Sequence, residues 1–89
     1  MKLEFTEKFK QDVKKINDLK TKEKIIKIID ECASSNTLTK ISNIKKLKGY
    51  DKHYRIKFGN YRIGLSYNHG VIIFSRCIHR KDIYRYFPE

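Results

Sequence analysis

From Tyr54 to Ile63 the chain alternates apolar and cationic residues. Tyr54-Arg55-Ile56-Lys57-Phe58 runs to a Gly59-Asn60 break, and Tyr61-Arg62-Ile63 resumes the pattern. A β-strand sends successive side chains to opposite faces. The spacing therefore predicts a hairpin with Tyr54, Ile56, Phe58, Tyr61, Ile63, Leu65 and Tyr67 on one face. Arg55, Lys57 and Arg62 share the other. The apolar face has to be covered by other elements. The cationic face is left to water or to an anion.

The chain has 89 residues, enough for one small domain spanning 1–89. A chain this short buries roughly 60% of its surface on folding, so every apolar stripe is needed for the core. Net charge is +11 and uneven: residues 1–43 hold 10 Lys and 7 acids, residues 44–89 hold 11 Lys or Arg and 3 acids. The strand-rich half is where an anion would be met, which favours nucleic acid or an acidic protein as partner. The two cysteines, Cys32 and Cys77, each sit among apolar residues and read as small buried hydrophobes rather than a disulfide framework. Metal-ligand spacing is absent, so neither metal nor cofactor is expected. No long apolar run suggests a signal peptide or membrane span, and a cytoplasmic protein is expected.

Lys2 to Phe5 alternates and predicts a short strand. Thr6 is placed to cap a helix over about 7–19, with Phe9, Val13, Ile16 and Leu19 at helical spacing. Thr21 restarts the pattern, and Ile25, Ile28, Ile29 and Cys32 form the stripe of a second helix ending near Ser34. Polar residues 35–43 read as loop, followed by a basic segment, Ile44 to Lys48, and a turn at Gly49. Strands are then expected over about 53–58, 61–67 and 71–77. Val71-Ile72-Ile73-Phe74 suggests a central strand buried on both faces. The tail 79–87 is basic and aromatic. The expected class is α+β in the order β-α-α-β-β-β: a helical hairpin on one face of a small, mainly antiparallel four-stranded sheet, with the other face open and cationic.

Leu47-Lys48-Gly49, Tyr54-Arg55-Ile56-Lys57, Gly59-Asn60-Tyr61-Arg62-Ile63, the Tyr67-Asn68-His69-Gly70 turn and His79-Arg80-Lys81-Asp82-Ile83-Tyr84 together resemble the RelE/ParE superfamily of toxins. These are the toxin halves of type II toxin–antitoxin pairs. The resemblance implies one fold with two activities. RelE-like members cut messenger RNA, usually in the ribosomal A site; ParE-like members inhibit DNA gyrase without cutting RNA. It also implies a cognate antitoxin, expected to be acidic and encoded nearby. By the same resemblance Lys57, Arg62, His79 and Tyr84 fall at catalytic positions, with Arg55 at a strand position where lysine is common. Arg55, Arg80, Lys45, Lys46 and Lys48 are expected to contact RNA. Ile78 stands where some relatives carry an arginine, a task His79 or Arg80 could take.

Such residues suit RNA cleavage without a metal. The 2′-hydroxyl attacks the adjacent phosphate and the 5′-oxygen leaves. One group accepts the hydroxyl proton, another protonates the leaving oxygen, and cations stabilise the phosphorane. DNA, without the hydroxyl, is spared. His79 is the candidate that ordinarily titrates near neutrality, and its cationic neighbours favour a proton acceptor. Lys57 is the alternative base. Tyr84 can donate a hydrogen bond, stack on a base, or simply close the sheet edge. His53 and His69 read as solvent-facing turn residues. The competing functions are the gyrase inhibitor and a non-enzymatic RNA-binding module on the same basic sheet.

Overall fold

Thr6 ends one element and starts the next. Its hydroxyl accepts a hydrogen bond from the Phe9 backbone N–H at 3.1 Å and donates one to the Ser75 carbonyl at 2.9 Å. The same side chain thus caps a helix and ties it to a distant strand. The computed structural model describes residues 1–88; Glu89, the last residue of the expected domain, lies outside them. The elements are β1 (Lys2–Phe5), α1 (Glu7–Lys15), α2 (Leu19–Ser34), a 3₁₀ turn (Leu38–Lys40), β2 (Ile44–Lys46), β3 (His53–Phe58), β4 (Tyr61–Asn68), β5 (Val71–His79) and α3 (Ile83–Tyr86).

The sheet has the order β1-β5-β4-β3-β2, with β1 parallel to β5 and every other pair antiparallel. The α+β class and the helices covering one face are as expected. The strand count is five rather than four, because Ile44-Lys45-Lys46 pairs with β3 as an edge strand. Such a short, lysine-rich segment has little strand signal of its own. Short length and lysines are also what keep an exposed edge from recruiting another chain.

Helix α1 stops at Lys15, four residues before the expected end, because Asp18 opens a new helix. The Asp18 carboxylate accepts from the Lys20 N–H and the Thr21 hydroxyl. Leu19, assigned to the first helix by spacing, therefore starts α2 and is 74% exposed. The core lies between the helices and the sheet. Phe9, Ile16, Ile25 and Cys32 meet Ile56, Phe58, Ile63, Leu65, Ile72, Phe74 and Cys77. Burying each large apolar side chain contributes about 1.5–3 kcal/mol.

The alternation in β3 and β4 is realised as read: Ile56, Ile63 and Leu65 are buried, while Lys57 is exposed. Strand β5 differs from expectation. It lies second from the edge, and β4 is central. Ile72 and Phe74 are fully buried, but Val71 and Ile73 are half-buried, so the apolar run is closed over on one side only. The turn after β4 has φ of +48° at His69 and +80° at Gly70, the two left-handed residues that a two-residue hairpin requires.

The second face is not wholly open. The chain after β5 folds back, and Ile83 and Phe87 form a small second cluster with Leu47 and Ile78. Part of the expected cationic face is therefore roofed by the C-terminal turn. Among the described residues no helix is long and apolar enough to cross a membrane.

Both cysteines are free and buried. Burial raises the Cys77 thiol from 9.0 to about 12, with Asp12 adding to the effect. Burial, with Glu31, raises Cys32 to about 11. The folded state holds these protons more tightly than the unfolded chain. Their contribution to stability is thus complete below pH 9 and is lost as pH climbs through 11 to 12. We expect urea midpoints to fall progressively above pH 9. Iodoacetamide should label neither thiol in native protein at neutral pH and both in denaturant; rapid native labelling would contradict the buried placement.

Candidate functional site

Directly opposed residues of an antiparallel pair share a face. Lys45 faces Arg55, Arg55 faces Gly64, Lys57 faces Arg62, and Arg62 faces Ile78. Lys45, Arg55, Lys57 and Arg62 therefore stand together on the side away from the helices. Two of these pairings set cation against cation, which destabilises a sheet. Among the described residues no carboxylate is within ion-pair distance of Arg55, Lys57, Arg62 or Arg80. Cations thus stand uncompensated at adjacent register positions among the described residues.

The backbone orients the cluster. Arg62 Nη1 donates to the carbonyls of Gly59 and Tyr61, at 3.1 and 2.9 Å. Arg55 Nη1 donates to the Asn43 carbonyl at 3.2 Å. The Arg80 N–H donates to the Asn60 carbonyl at 2.7 Å, which brings the start of the tail beside the β3–β4 turn. Partial burial holds the Arg62 guanidinium below its ordinary range; Arg55 and Arg80 push the same way, and Tyr84 opposes them. The arginine stays charged at neutral pH, so like-charge repulsion is built into the cluster.

Tyr84 is 68% exposed on α3. It lines a cleft of about 590 Å³ together with Lys45, Lys46, Lys48, Tyr50 and Arg55. A shallower depression of about 290 Å³ connects Lys45, Arg55 and Lys57 along the sheet edge. Aromatic rings beside backbone-reaching cations are the arrangement that holds single-stranded nucleic acid.

His79 stands apart from this group. It is the register partner of Tyr61, not of Arg62. Its ring meets the Tyr61 ring edge-on at 6.1 Å, and Tyr61 packs against the helix-side core. The Lys81 N–H donates to His79 Nδ1 at 3.2 Å, which in a neutral ring leaves the proton on Nε2. The structure thus brings Arg55, Lys57, Arg62, Arg80 and Tyr84 together and sets His79 at the end of β5, on the side of Tyr61.

Sequence patterning missed several residues of this region. His53, read as a solvent-facing turn residue, opens β3 with its ring between Tyr50 and Phe87, at 5.4 and 5.5 Å. His69 is the exposed turn residue expected. Asp12 accepts from Arg76 Nε at 2.8 Å, from Arg76 Nη2 at 3.1 Å and from the Cys77 N–H at 2.9 Å. The Arg76 guanidinium also lies 5.5 Å from the centre of the Tyr86 ring, linking α1, β5 and the C-terminal turn. A lone glycine inside a strand pattern, Gly64, was the one available signal that something approaches the sheet closely.

A family model described as the ParE toxin of the type II toxin–antitoxin system parDE matches residues 3–84. Toxin RelE3 of Methanocaldococcus jannaschii is 47% identical over 89 residues, covering 99% of this chain and all of that protein. The toxin in the RelB–RelE antitoxin–toxin complex from Methanococcus jannaschii superimposes with a TM-score of 0.81 at 46% identity, over 96% of this chain and 99% of that one. An archaeal RelE–RelB complex from Pyrococcus horikoshii contains the same fold, with a TM-score of 0.73 at 17% identity over 89% and 93% of the chains.

Proposed function

This chain belongs to the RelE/ParE superfamily of type II toxin–antitoxin toxins, and from that premise we propose that it is an endoribonuclease that cuts messenger RNA in the ribosomal A site and so stops translation. The observation that carries the reading is the group of uncompensated cations, Arg55, Lys57, Arg62 and Arg80, next to the exposed Tyr84 on the helix-free face.

Arg62 neutralises the phosphorane as the 2′-hydroxyl adds to phosphorus. Lys57, its cross-strand neighbour, is the nearer candidate to accept the hydroxyl proton. His79 is the second candidate, reaching the substrate only from the end of β5. Tyr84 stacks on a base or donates to the leaving oxygen, and Lys45, Lys46, Lys48 and Arg55 follow the phosphate backbone. The chemistry uses side chains of this chain alone. An acidic antitoxin is the expected partner, since the similar toxin from Methanococcus jannaschii is seen with RelB and a chain of net charge +11 favours such a mate.

Induced expression should arrest translation and leave cleaved transcripts, mapped by primer extension. Purified protein should cut RNA on programmed ribosomes far faster than free RNA. The family model's ParE description supports a second reading, gyrase inhibition. Intact transcripts with gyrase-dependent DNA breaks would establish that reading and sink the first.

A further inference from the structure

Strand β4 has a glycine where the C-terminal turn crosses the sheet. Gly64 is buried and lies on the face shared by Arg55 and Arg62. A Cβ built on it would sit 2.6 Å from both Cγ and Cδ2 of Phe87 and 2.9 Å from Cδ1. Real Cβ atoms do not approach a ring this closely, and the obstacle is a rigid aromatic at 3% exposure rather than a flexible chain end. The Phe87 ring therefore lies directly on bare backbone. Ile83, wholly buried, Leu47 and Ile78 complete its surroundings.

The turn between these anchors is short. It is a four-residue helix, Ile83–Tyr86, whose bonds include the Phe87 N–H to the Ile83 carbonyl at 2.8 Å. An isolated helix this short is unstable in water. Its position is set by Ile83 and Phe87, which flank Tyr84, together with the contact of Tyr86 with the Arg76 guanidinium. Tyr84 is 68% exposed and lines the cleft with Arg55, so its location at the cationic cluster follows from where Ile83 and Phe87 sit.

We propose that Gly64 is a positioning residue: the Gly64–Phe87 socket holds the C-terminal turn down and thereby places Tyr84 at the cationic cluster. The catalytic consequence rests on the RNA-cutting reading; the docking of the turn does not. An added methyl lifts Phe87, and Tyr84 moves with it. Displacements of about 1 Å at a reacting centre cost on the order of 10²-fold in rate.

Two measurements test this on the intact chain, each with Gly64→Ala and Phe87→Ala. Phe87→Ala empties the socket without touching the sheet, and stands in should Gly64→Ala fail to fold. Amide hydrogen exchange should show residues 85–87 losing protection in both variants while β3 to β5 keep theirs. Single-turnover RNA cleavage should fall about 10²-fold, and adding Gly64→Ala to Tyr84→Ala should cause no further loss. Retained protection of the turn in both variants overturns the socket. Losses that multiply with Tyr84→Ala overturn the coupling to Tyr84. A parent protein that cuts no RNA overturns the proposed activity, and the exchange measurement still decides whether Gly64 docks the turn.

Discussion

Arg62→Ala should reduce RNA cleavage by about 10²–10³-fold, the usual loss when one preorganised charge donor to a transition state is removed. Arg62 is flanked by Lys57 across the strand pair and feels Arg55 and Arg80. Deleting it leaves cations nearby but none at that register position. The fold should survive, because among the described residues the guanidinium bonds only the carbonyls of Gly59 and Tyr61, at a turn where water can replace it. Arg62→Lys should fall between parent and alanine variant, since an ammonium keeps the charge but loses the planar fork. The check is single-turnover cleavage on programmed ribosomes beside a circular-dichroism melt. A folded Arg62→Ala protein cutting at the parental rate would remove Arg62 from the site.

A large loss of stability should come from Asp12→Ala, on the first helix. Asp12 is 7% exposed and accepts three hydrogen bonds, two from Arg76 and one from the Cys77 backbone. Removing the carboxylate takes an acceptor from the half-buried Arg76 guanidinium and leaves the buried Cys77 N–H without its side-chain partner. Breaking a buried pair in this way costs about 3–5 kcal/mol. Small domains have only about 5–15 kcal/mol in total, and each kcal/mol moves the midpoint by about 4–8 °C at this size. A fall in melting temperature of about 12 °C or more is expected, with Asp12→Asn milder because the amide oxygen can still accept. A shift below about 4 °C, equivalent to less than about 1 kcal/mol, would mean that water enters and satisfies Arg76.

The elements that repeat a period were legible in advance. Phe9, Ile25 and Cys32 at helical spacing, and Ile56, Ile63 and Leu65 at strand spacing, all reach the core. So were the face shared by Arg55, Lys57 and Arg62 and the cap at Thr6. The features that escaped notice arise from docking rather than pattern. Three residues of β2 are too few to show a period. Ile83 and Phe87 are buried by folding back over the sheet, which no local regularity announces. Asp12 and Arg76 are 64 positions apart and meet only after α1 packs on β5. His79 depended on a single unit of register: a residue beside Ile78 in sequence lies on the other side of the sheet, because the strand runs unbroken through both.

The parallel pairing of β1 with β5 sets an order of events for synthesis. Residues 2–5 find their partners only at 71–74, so the first strand to leave the ribosome waits for the last. Until then the helices have no complete floor, and β4 lacks one of its two neighbours. Closing a loop over most of the chain is entropically costly and is offset only when the non-local contacts form together. A nascent fragment ending before Val71 has no seat for its own N-terminus, no continuation of the tail and no Tyr84. The sheet that carries Arg55, Lys57 and Arg62 is therefore complete only after residues 71–79 have been made.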